Sequence, residues 1–196
     1  LAGGGKGSDA MNVLLTGREV TFYLENSGAK VIVVWHDFAE AAVTGAEGTD
    51  CEVISIHPEE VAGLIGDVEG IEEVAEVEPD DTAVILYTSG TTGQPKGVVH
   101  TTGGYMVGVT YLSRAFYQIG ERDIYWSTSD IGWIVGHSFI VYGPLSVGAT
   151  VFCREGVPDY PSPEVTWELV ERFGVNLMCT APTALRAIKR DDPEGE

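Results

Sequence analysis

The stretch YTSGTTGQPKG, residues 87–97, follows directly on the apolar run TAVILYT of residues 82–88. The run is β-branched and uncharged, which predicts a buried strand. A turn that leaves a strand with several glycines and hydroxyl side chains can direct many N–H and O–H donors at one anion. Lys96 adds a compact positive charge, and Pro95 stiffens the turn that carries it. The stretch therefore predicts a loop that binds a polyphosphate.

The glycines of this stretch lack a Cβ, so the backbone can approach an oxyanion closely and adopt positive φ. The spacing does not match the P-loop pattern G-x-x-x-x-G-K-[ST], because the first two glycines are too close together and Gly97 follows the lysine. A flexible loop without a ligand is the alternative interpretation. The candidate phosphate-binding residues are Thr88, Ser89, Gly90, Thr91, Thr92, Gly93 and Lys96.

Helix and strand patterns alternate along the rest of the chain. Thr16 and Glu19 form the pattern of a capping box, and Gly28 is a suitable end for the helix that it opens. Further helices are predicted over 102–118, where Tyr105, Val109, Leu112 and Phe116 share one side, and between Ser162 and Gly174. Buried strands are predicted at 31–35, 51–56 and 175–180. We expect an α/β fold, with a layered, largely parallel sheet and flanking helices.

Charge limits the classes of partner. The chain has 196 residues with 11 Lys plus Arg and 30 Asp plus Glu, a formal net charge of −19. Such a surface repels phosphate backbones and anionic lipid, which argues against nucleic-acid and membrane-surface partners. The carboxylates are dispersed and lysine is scarce, so we hypothesise adaptation to a very salty cytoplasm, a halophile-like trait.

The cysteines and histidines are scattered and predict no metal site. Cys51, Cys153 and Cys179 form no CxxC pair, which indicates a reducing compartment, the cytoplasm. Residues 131–153 carry no formal charge and are long enough to cross a bilayer. Because glycines interrupt the segment and Gly143-Pro144 is typical of a turn, we interpret it as buried structure rather than a membrane span.

YTSGTTGQPKG resembles the phosphate-binding signature of the adenylate-forming superfamily, which includes acyl-CoA synthetases, luciferases and adenylation domains. Residues 87–190, including VVHTTGGYMVGV, DIGWIVGHSFIVYGPLSVGATVFCREGVPDYPSP and TAPTALRAIKR, are similar to acetyl-CoA synthetase and its short-chain relatives. Residues 12–86 resemble medium- or long-chain acyl-CoA ligases more loosely. The resemblance implies the N-terminal domain of the adenylate-forming fold.

The resemblance also implies a reaction and its substrates. A carboxylate attacks the α-phosphate of ATP with Mg²⁺ assistance, which gives acyl-AMP and pyrophosphate, and the thiol of CoA then displaces AMP. In this family the glycine loop holds the β- and γ-phosphates, and Lys96 is expected to neutralise the pyrophosphate. Small-molecule carboxylate, ATP and CoA are the implied partners.

Trp133, Ile134, Val135 and Gly136 fall where acetyl-CoA synthetases build the acyl pocket and the nearby thiol channel. An aromatic wall beside small apolar residues suits an acyl tail, and glycine leaves room for a pantetheine arm. Burial in an ordinary core is the alternative. Acetate enzymes usually have Val-Thr after this tryptophan, so the pair Ile134-Val135 argues against strict acetate preference. His137 is expected to bond to backbone rather than to line the pocket.

The extent of the chain suggests a part of a synthetase. We expect residues 1–196 to form one incomplete N-terminal domain, with residues 1–11 disordered and the small C-terminal domain absent. Two functions remain open: a fragment of an ATP-dependent acyl-CoA synthetase for a short-chain acid, or a non-catalytic remnant with weak binding of nucleotide phosphates. A general phosphate-binding module is a third, but it leaves DIGWIVGHS unexplained. Incomplete sheet edges predict exposed apolar surface and self-association.

Overall fold

The structure is a computed structural model that describes residues 7–9, 11–66, 70, 76–88 and 95–192. The chain divides into two compact units, Leu1–Thr102 and Gly103–Glu196, and each is described by itself. Residues 67–69 and 71–75 of the acidic stretch 67–81 lie outside the described residues.

The first unit alternates strands and helices as the sequence patterns predict. Its elements are β1 (Ser8–Asp9), α1 (Gly17–Ser27), β2 (Val31–Trp35), a 3₁₀ turn (His36–Phe38), α2 (Ala39–Ala46), β3 (Glu52–Ile56), α3 (Val61–Gly66), β4 (Thr82–Thr88) and β5 (Lys96–Thr101). Helix α2 was not predicted. Disorder was predicted over residues 1–11, of which residues 1–6 and 10 lie outside the described residues. Ser8 and Asp9 form a strand that pairs with Val84 and Ile85 of β4.

The described strands of this unit form two small sheets. One has the order β1-β4-β5 and the other pairs β2 with β3. The pairs β1–β4 and β2–β3 are parallel, whereas β4–β5 is antiparallel. The prediction of a largely parallel α/β fold is therefore confirmed, with β5 as the exception.

Helix α1 ends at the residues that the sequence indicated. The Glu19 carboxylate accepts hydrogen bonds from the backbone N–H and the hydroxyl of Thr16, at 2.8 and 2.7 Å. Gly28 closes the helix at φ 68°, a left-handed conformation that glycine adopts at low cost. The helix packs its buried Val20 and Leu24 against Ala46 of α2. A Cβ on Gly45 would lie 2.5 Å from the Cβ of Val20, so this glycine allows the two helices to approach closely.

The uncharged sequence of β2 predicted a buried strand, but the strand is not fully buried. Val31, Val33 and Trp35 alternate along the strand and are 41%, 45% and 39% exposed. Successive side chains of a strand point to opposite faces. One face of the β2–β3 sheet is therefore apolar and exposed in this chain.

The second unit is built on a parallel sheet with the order β7-β6-β8. Its elements are α4 (Thr102–Tyr111), a π-helical segment (Leu112–Phe116), β6 (Ile124–Ser127), α5 (Ile134–Gly136), a second π-helical segment (His137–Tyr142), α6 (Gly143–Ser146), β7 (Thr150–Phe152), α7 (Val165–Phe173), β8 (Leu177–Cys179) and α8 (Pro182–Asp191). Its core contains Ile119, Tyr125, Val147 and Ala149. Gly174 ends α7 at φ 65°, as predicted.

The prediction that apolar side chains over 102–118 share one buried side of a helix is correct only for the first half of this range. Tyr105 and Val109 are buried, but Leu112 is 40% and Phe116 72% exposed. The π-helical segment has a wider turn than the α-helix before it, so the inward face changes. Ser113 becomes fully buried instead.

The uncharged segment 131–153 folds into short helices followed by β7. Gly143-Pro144 does not form the predicted turn but begins helix α6, where proline is tolerated because the first N–H groups of a helix have no intrahelical partner. In the described part of the chain, no helix has the length and apolarity needed to cross a membrane.

Candidate phosphate-binding hairpin and acyl-binding segment

The glycine-rich stretch joins two directly paired strands. Thr88, the last residue of β4, pairs with Lys96, the first residue of β5, in antiparallel register. Residues that face each other across such a pair point to the same side of the sheet. The structure therefore brings together two candidate phosphate-binding residues, both of them exposed. Ser89, Gly90, Thr91, Thr92 and Gly93 lie outside the described residues, and their roles stay predictions.

The charge of Lys96 is available to a ligand. The described carboxylates form no ion pair with Lys96, and its side chain is exposed at the end of β5. An ammonium group in this position can attract an anion at the tip of the hairpin.

Gly97 has a different role from the one that the sequence suggested. It does not adopt positive φ but continues strand β5, opposite Tyr87. A Cβ on Gly97 would lie 3.2 Å from the Tyr87 ring and 3.0 Å from Cγ2 of Ile85. The absence of a side chain therefore lets the ring of Tyr87 pack beside the backbone of β5.

Tyr87 also connects the hairpin to helix α1. Its ring stacks on Tyr23, with 4.2 Å between centroids and 14° between planes, and its hydroxyl donates to Oδ1 of Asn26 at 2.8 Å. The start of the glycine-rich stretch is therefore fixed to helix α1.

Asp9 is a buried carboxyl that the sequence analysis did not single out. Both of its side-chain oxygens are buried without a hydrogen-bond partner. Burial raises the pKa of the Asp9 carboxyl to about 7, because an apolar environment disfavours the charged form. Burial is the main cause of the raised pKa values of Tyr23 and Tyr87, and the charge of Asp9 is a smaller cause of both. No sequence pattern indicates that a single aspartate such as Asp9 is buried and has a raised pKa.

In the second unit, the candidate acyl-binding residues follow strand β6. The Asp130 carboxylate accepts from the N–H of Gly132 at 2.8 Å, and the Asp130 carbonyl accepts from the N–H of Trp133 at 3.1 Å. This turn leads into α5. Trp133 is 59% and Ile134 36% exposed, so burial in an ordinary core does not account for either side chain in this chain.

Gly136 lies tightly against the turn that precedes α5. It is buried, and a Cβ added there would lie 1.9 Å from the carbonyl oxygen of Asp130. The space that a side chain at Gly136 would need is therefore filled by this turn, and a role of the glycine beside a thiol channel stays a prediction. His137, the next residue, has a buried Nε2 without a hydrogen-bond partner. Burial lowers the pKa of His137, which favours the neutral imidazole.

A cavity of about 290 Å³ lies at the carboxyl ends of β6 and β7. None of Trp133, Ile134, Val135 and Gly136 lines it. Its wall consists of Trp126, Ser127, Thr128, Ser129, Ile131, Ile140, Cys153, Arg154, Gly156 and Pro158. Ligands of open α/β sheets bind outside the carboxyl ends of the strands, so the position is typical of a binding site. The sequence analysis did not identify this site, because its wall is drawn from separate segments of the chain.

The described residues contain no group of three or more His, Cys, Asp or Glu that could hold a metal ion. The three cysteines are free, and Cys153 is an exposed residue.

Comparison with known proteins identifies the family. The family model described as "AMP-binding enzyme" matches residues 10–196. The chain belongs to the AMP-binding enzyme family. The resemblance to the adenylate-forming superfamily is thereby confirmed.

The chain is also similar to two proteins named acetyl-coenzyme A synthetase. The protein of Xylella fastidiosa strain 9a5c is 56% identical over 112 residues, which cover 57% of this chain and 17% of that protein. The protein of Gemmatimonas aurantiaca is 51% identical over 114 residues, which cover 58% of this chain and 17% of that protein. The predicted similarity to acetyl-CoA synthetases is confirmed, over a chain that spans about a sixth of the length of these relatives.

A solved structure of an acyl-CoA synthetase from Brucella canis matches the fold of this AMP-binding family chain. The TM-score is 0.80 at 25% sequence identity, and the match covers 95% of this chain and 35% of that one. The α/β architecture is therefore that of part of an acyl-CoA synthetase.

Proposed function

We propose that this chain is part of an ATP-dependent acyl-CoA synthetase that activates a short-chain carboxylate such as acetate or propionate. An oxygen of the carboxylate attacks the α-phosphorus of ATP, and pyrophosphate leaves to give acyl-AMP. The sulfur of CoA then attacks the acyl carbon, and AMP leaves. Family membership and similarity to two acetyl-coenzyme A synthetases support this proposal.

The observation that carries the proposal is the pairing of Thr88 with Lys96 at the end of the β4–β5 hairpin. In the proposed complex the Lys96 ammonium neutralises charge on the β- and γ-phosphates and on the departing pyrophosphate. Thr88 donates its hydroxyl from the same face of the hairpin. In-line phosphoryl chemistry depends mainly on positioning and on neutralising charge, which these two residues can supply.

Residues 89–94 complete the proposed phosphate site, and their assignment rests on their amino-acid types. Ser89, Thr91 and Thr92 offer hydroxyl donors, and Gly90 and Gly93 allow backbone N–H groups to come close to the phosphates. Mg²⁺ and CoA belong to the proposed reaction, but the described residues offer no cluster of metal ligands and we assign none to the ion.

We propose that Trp133, Ile134 and Val135 contact the acyl group. Support comes from the exposure of Trp133 and Ile134, which leaves apolar surface at the start of α5 for a ligand or for other parts of a longer protein. The side chain of Val135 has the volume of threonine without the hydroxyl, so we expect propionate to be accepted as well as acetate. Gly136 is excluded from this set because the Asp130 turn fills its surroundings. We also propose that the reaction takes place in the cytoplasm, where free cysteines persist.

The proposal is tested with Lys96→Ala and a matched control, Lys30→Ala, which removes another exposed lysine of the first unit. Binding of ATP and of pyrophosphate to the chain is measured by calorimetry. We expect Lys96→Ala to weaken both by about tenfold or more, since hydrogen bonds between charged groups are strong. Lys30→Ala should leave them unchanged, and neither variant should lower the thermal midpoint by more than a degree or two.

Carboxylate-dependent exchange between ATP and pyrophosphate, assayed with acetate, propionate and longer acids, separates the two candidate functions. Exchange supports the synthetase. Binding of ATP without exchange supports a non-catalytic part that retains the phosphate site. If ATP and pyrophosphate bind equally to the wild type and to Lys96→Ala, the hairpin is not the phosphate site and the proposal is wrong.

A further inference from the structure

Two histidines that are distant in the sequence lie side by side in the first unit. His36 follows Trp35, the last residue of β2, and His57 follows Ile56, the last residue of β3. Trp35 and Ile56 face each other in parallel register. Because the two strands end at the same level, the next residue of each strand is brought to the same edge of the sheet. This carboxyl edge is where open α/β sheets bind ligands.

The two imidazole rings are in direct contact. Their centroids are 4.2 Å apart, with 15° between the ring planes. The side chain of His36 is 28% exposed, and His57 is an exposed residue, so dissolved ions can reach the pair. The indole of Trp35 packs against the ring of His36, with 4.9 Å between centroids, and restricts its movement.

Asp37 distinguishes the two nitrogens of His36. The Oδ1 atom of Asp37 lies 3.1 Å from Nδ1 of His36. A carboxylate at this distance favours a proton on Nδ1, so the lone pair of the neutral ring is on Nε2. Carboxylate–histidine pairs of this kind orient the imidazoles that bind metal ions in proteins. His36 therefore has the arrangement of a metal ligand whose available nitrogen is Nε2.

The surroundings of the histidine pair are negative. Asp37 and Glu40 follow the first histidine, Glu59 and Glu60 follow the second, and all four residues are exposed. The whole chain has a formal net charge of −19. A negative surface concentrates cations and repels anions. A cation is therefore a better candidate than an anion for a ligand of this edge of the sheet.

We propose that His36 and His57 bind one divalent transition-metal ion that prefers imidazole nitrogen, such as Zn²⁺, Ni²⁺ or Cu²⁺. Two nitrogens bound to a tetrahedral Zn²⁺ are about 3.3 Å apart, since each Zn–N bond is about 2.0–2.1 Å long. Rings with centroids 4.2 Å apart reach this separation when they tilt towards the ion. The described part of the chain has no group of three His, Cys, Asp or Glu that could hold a metal, so water completes the coordination.

This ion is distinct from the Mg²⁺ of the proposed reaction. Mg²⁺ prefers oxygen ligands and keeps several waters, whereas imidazole suits the later transition metals. Neither histidine belongs to the β4–β5 hairpin. The ion joins the ends of β2 and β3 and stabilises this edge of the sheet, so its role is structural.

The proposal is tested by titrating Zn²⁺ into the full chain labelled with ¹⁵N, without ATP, while NMR observes the imidazole nitrogens at neutral pH. We expect Nε2 of His36 and one nitrogen of His57 to shift saturably with one equivalent, because each lone pair becomes coordinated. The nitrogens of His100 and His137 should not shift. Mg²⁺ at the same concentration should leave all four histidines unchanged.

Variants separate ligands from neighbouring charge. His57→Gln removes one of the two ligands and should weaken Zn²⁺ binding, measured by calorimetry, by about tenfold or more. His100→Gln is the matched control, since it removes another histidine of the first unit and should leave the affinity unchanged. Asp37→Ala should weaken binding by about tenfold because His36 loses its orientation. Glu40→Ala removes a nearby exposed carboxylate and should weaken it by less than about twofold.

The proposal is overturned if Zn²⁺ leaves both imidazoles unchanged, if His57→Gln binds Zn²⁺ as tightly as the wild type, or if Mg²⁺ shifts the same nitrogens. Equal weakening by Asp37→Ala and Glu40→Ala would overturn the positioning role of Asp37. Thermal unfolding without metal checks that each variant folds as the wild type does. Because the titration contains no ATP, its result is independent of the Lys96 experiment.

Discussion

Gly136 leaves very little room for a side chain, so Gly136→Ala is a sharp test of the packing before α5. A Cβ there would lie 1.9 Å from the carbonyl oxygen and 2.5 Å from the carbonyl carbon of Asp130. Heavy atoms that are not bonded need more than 3 Å, so the turn would have to move by at least about 1 Å. The atoms in the way belong to the backbone and cannot be relieved by a rotamer change.

We expect Gly136→Ala to lower the free energy of unfolding by about 3 kcal/mol, the upper part of the range for overpacking. The gain in helix propensity offsets this by less than about 1 kcal/mol. Urea unfolding followed by tryptophan fluorescence and circular dichroism measures the change.

The matched control is Gly108→Ala in α4 of the same unit. A Cβ at Gly108 meets no atom within 4 Å. The substitution should therefore stabilise the protein by about 0.5–1 kcal/mol through helix propensity alone. If Gly136→Ala unfolds at the wild-type urea concentration, or if both variants are destabilised equally, the tight contact with Asp130 is not present.

Three more predictions concern the first unit. Asp9→Asn should stabilise the protein by about 2 kcal/mol at pH 8, half of what the raised pKa alone would give, because Asp9 as a whole residue is only half-buried. The protonated carboxyl fits the fold, so wild-type stability is complete below pH 4 and falls as pH rises towards 7. Urea unfolding at pH 4, 6 and 8 should show this slope in the wild type only. Thr16→Ala removes the hydroxyl that donates to Glu19, and should lower the thermal midpoint in calorimetry by about 3 °C. Tyr87→Phe loses the hydrogen bond to Asn26 and should reduce the free energy of unfolding by about 0.5–1 kcal/mol, whereas no change in urea unfolding would mean that water replaces this bond without loss.

Elements with local signals were predicted well from the sequence. Helix α1 carries its own cap at Thr16 and its own end at Gly28, and α7 ends at Gly174. The apolar runs of β3 and β4 are strands, as their composition indicated. These features depend on residues within a few positions of each other, which is the range over which sequence patterns are informative.

Features that depend on distant residues were missed. The antiparallel pairing of β5 with β4 depends on tertiary contacts, and the local sequence VVH does not specify it. The exposure of Leu112 follows from a π-helical turn, which has no composition signal of its own. The close approach of the Asp130 carbonyl to Gly136 was not expected, because the sequence does not show which backbone atoms lie beside a glycine.

The candidate site was predicted in its motif but not in its surroundings. Thr88 and Lys96 were identified by type and spacing, and the structure pairs them. The residues that line the cavity at the carboxyl ends of β6 and β7 were not identified, because they come from separate segments of the chain. Because the exposed face of β2 is apolar, we propose that it promotes self-association, which sedimentation at increasing concentration would measure.

The contact between Gly97 and the ring of Tyr87 has a consequence for the direction of the Lys96 ammonium. A shift of the hairpin by one residue would turn every side chain of β5 to the opposite face. Such a shift would move Gly97 away from Tyr87 and place a side chain of β5 against the aromatic ring. The packing of Tyr87 beside Gly97 therefore favours the register that keeps Lys96 on its present side of the sheet.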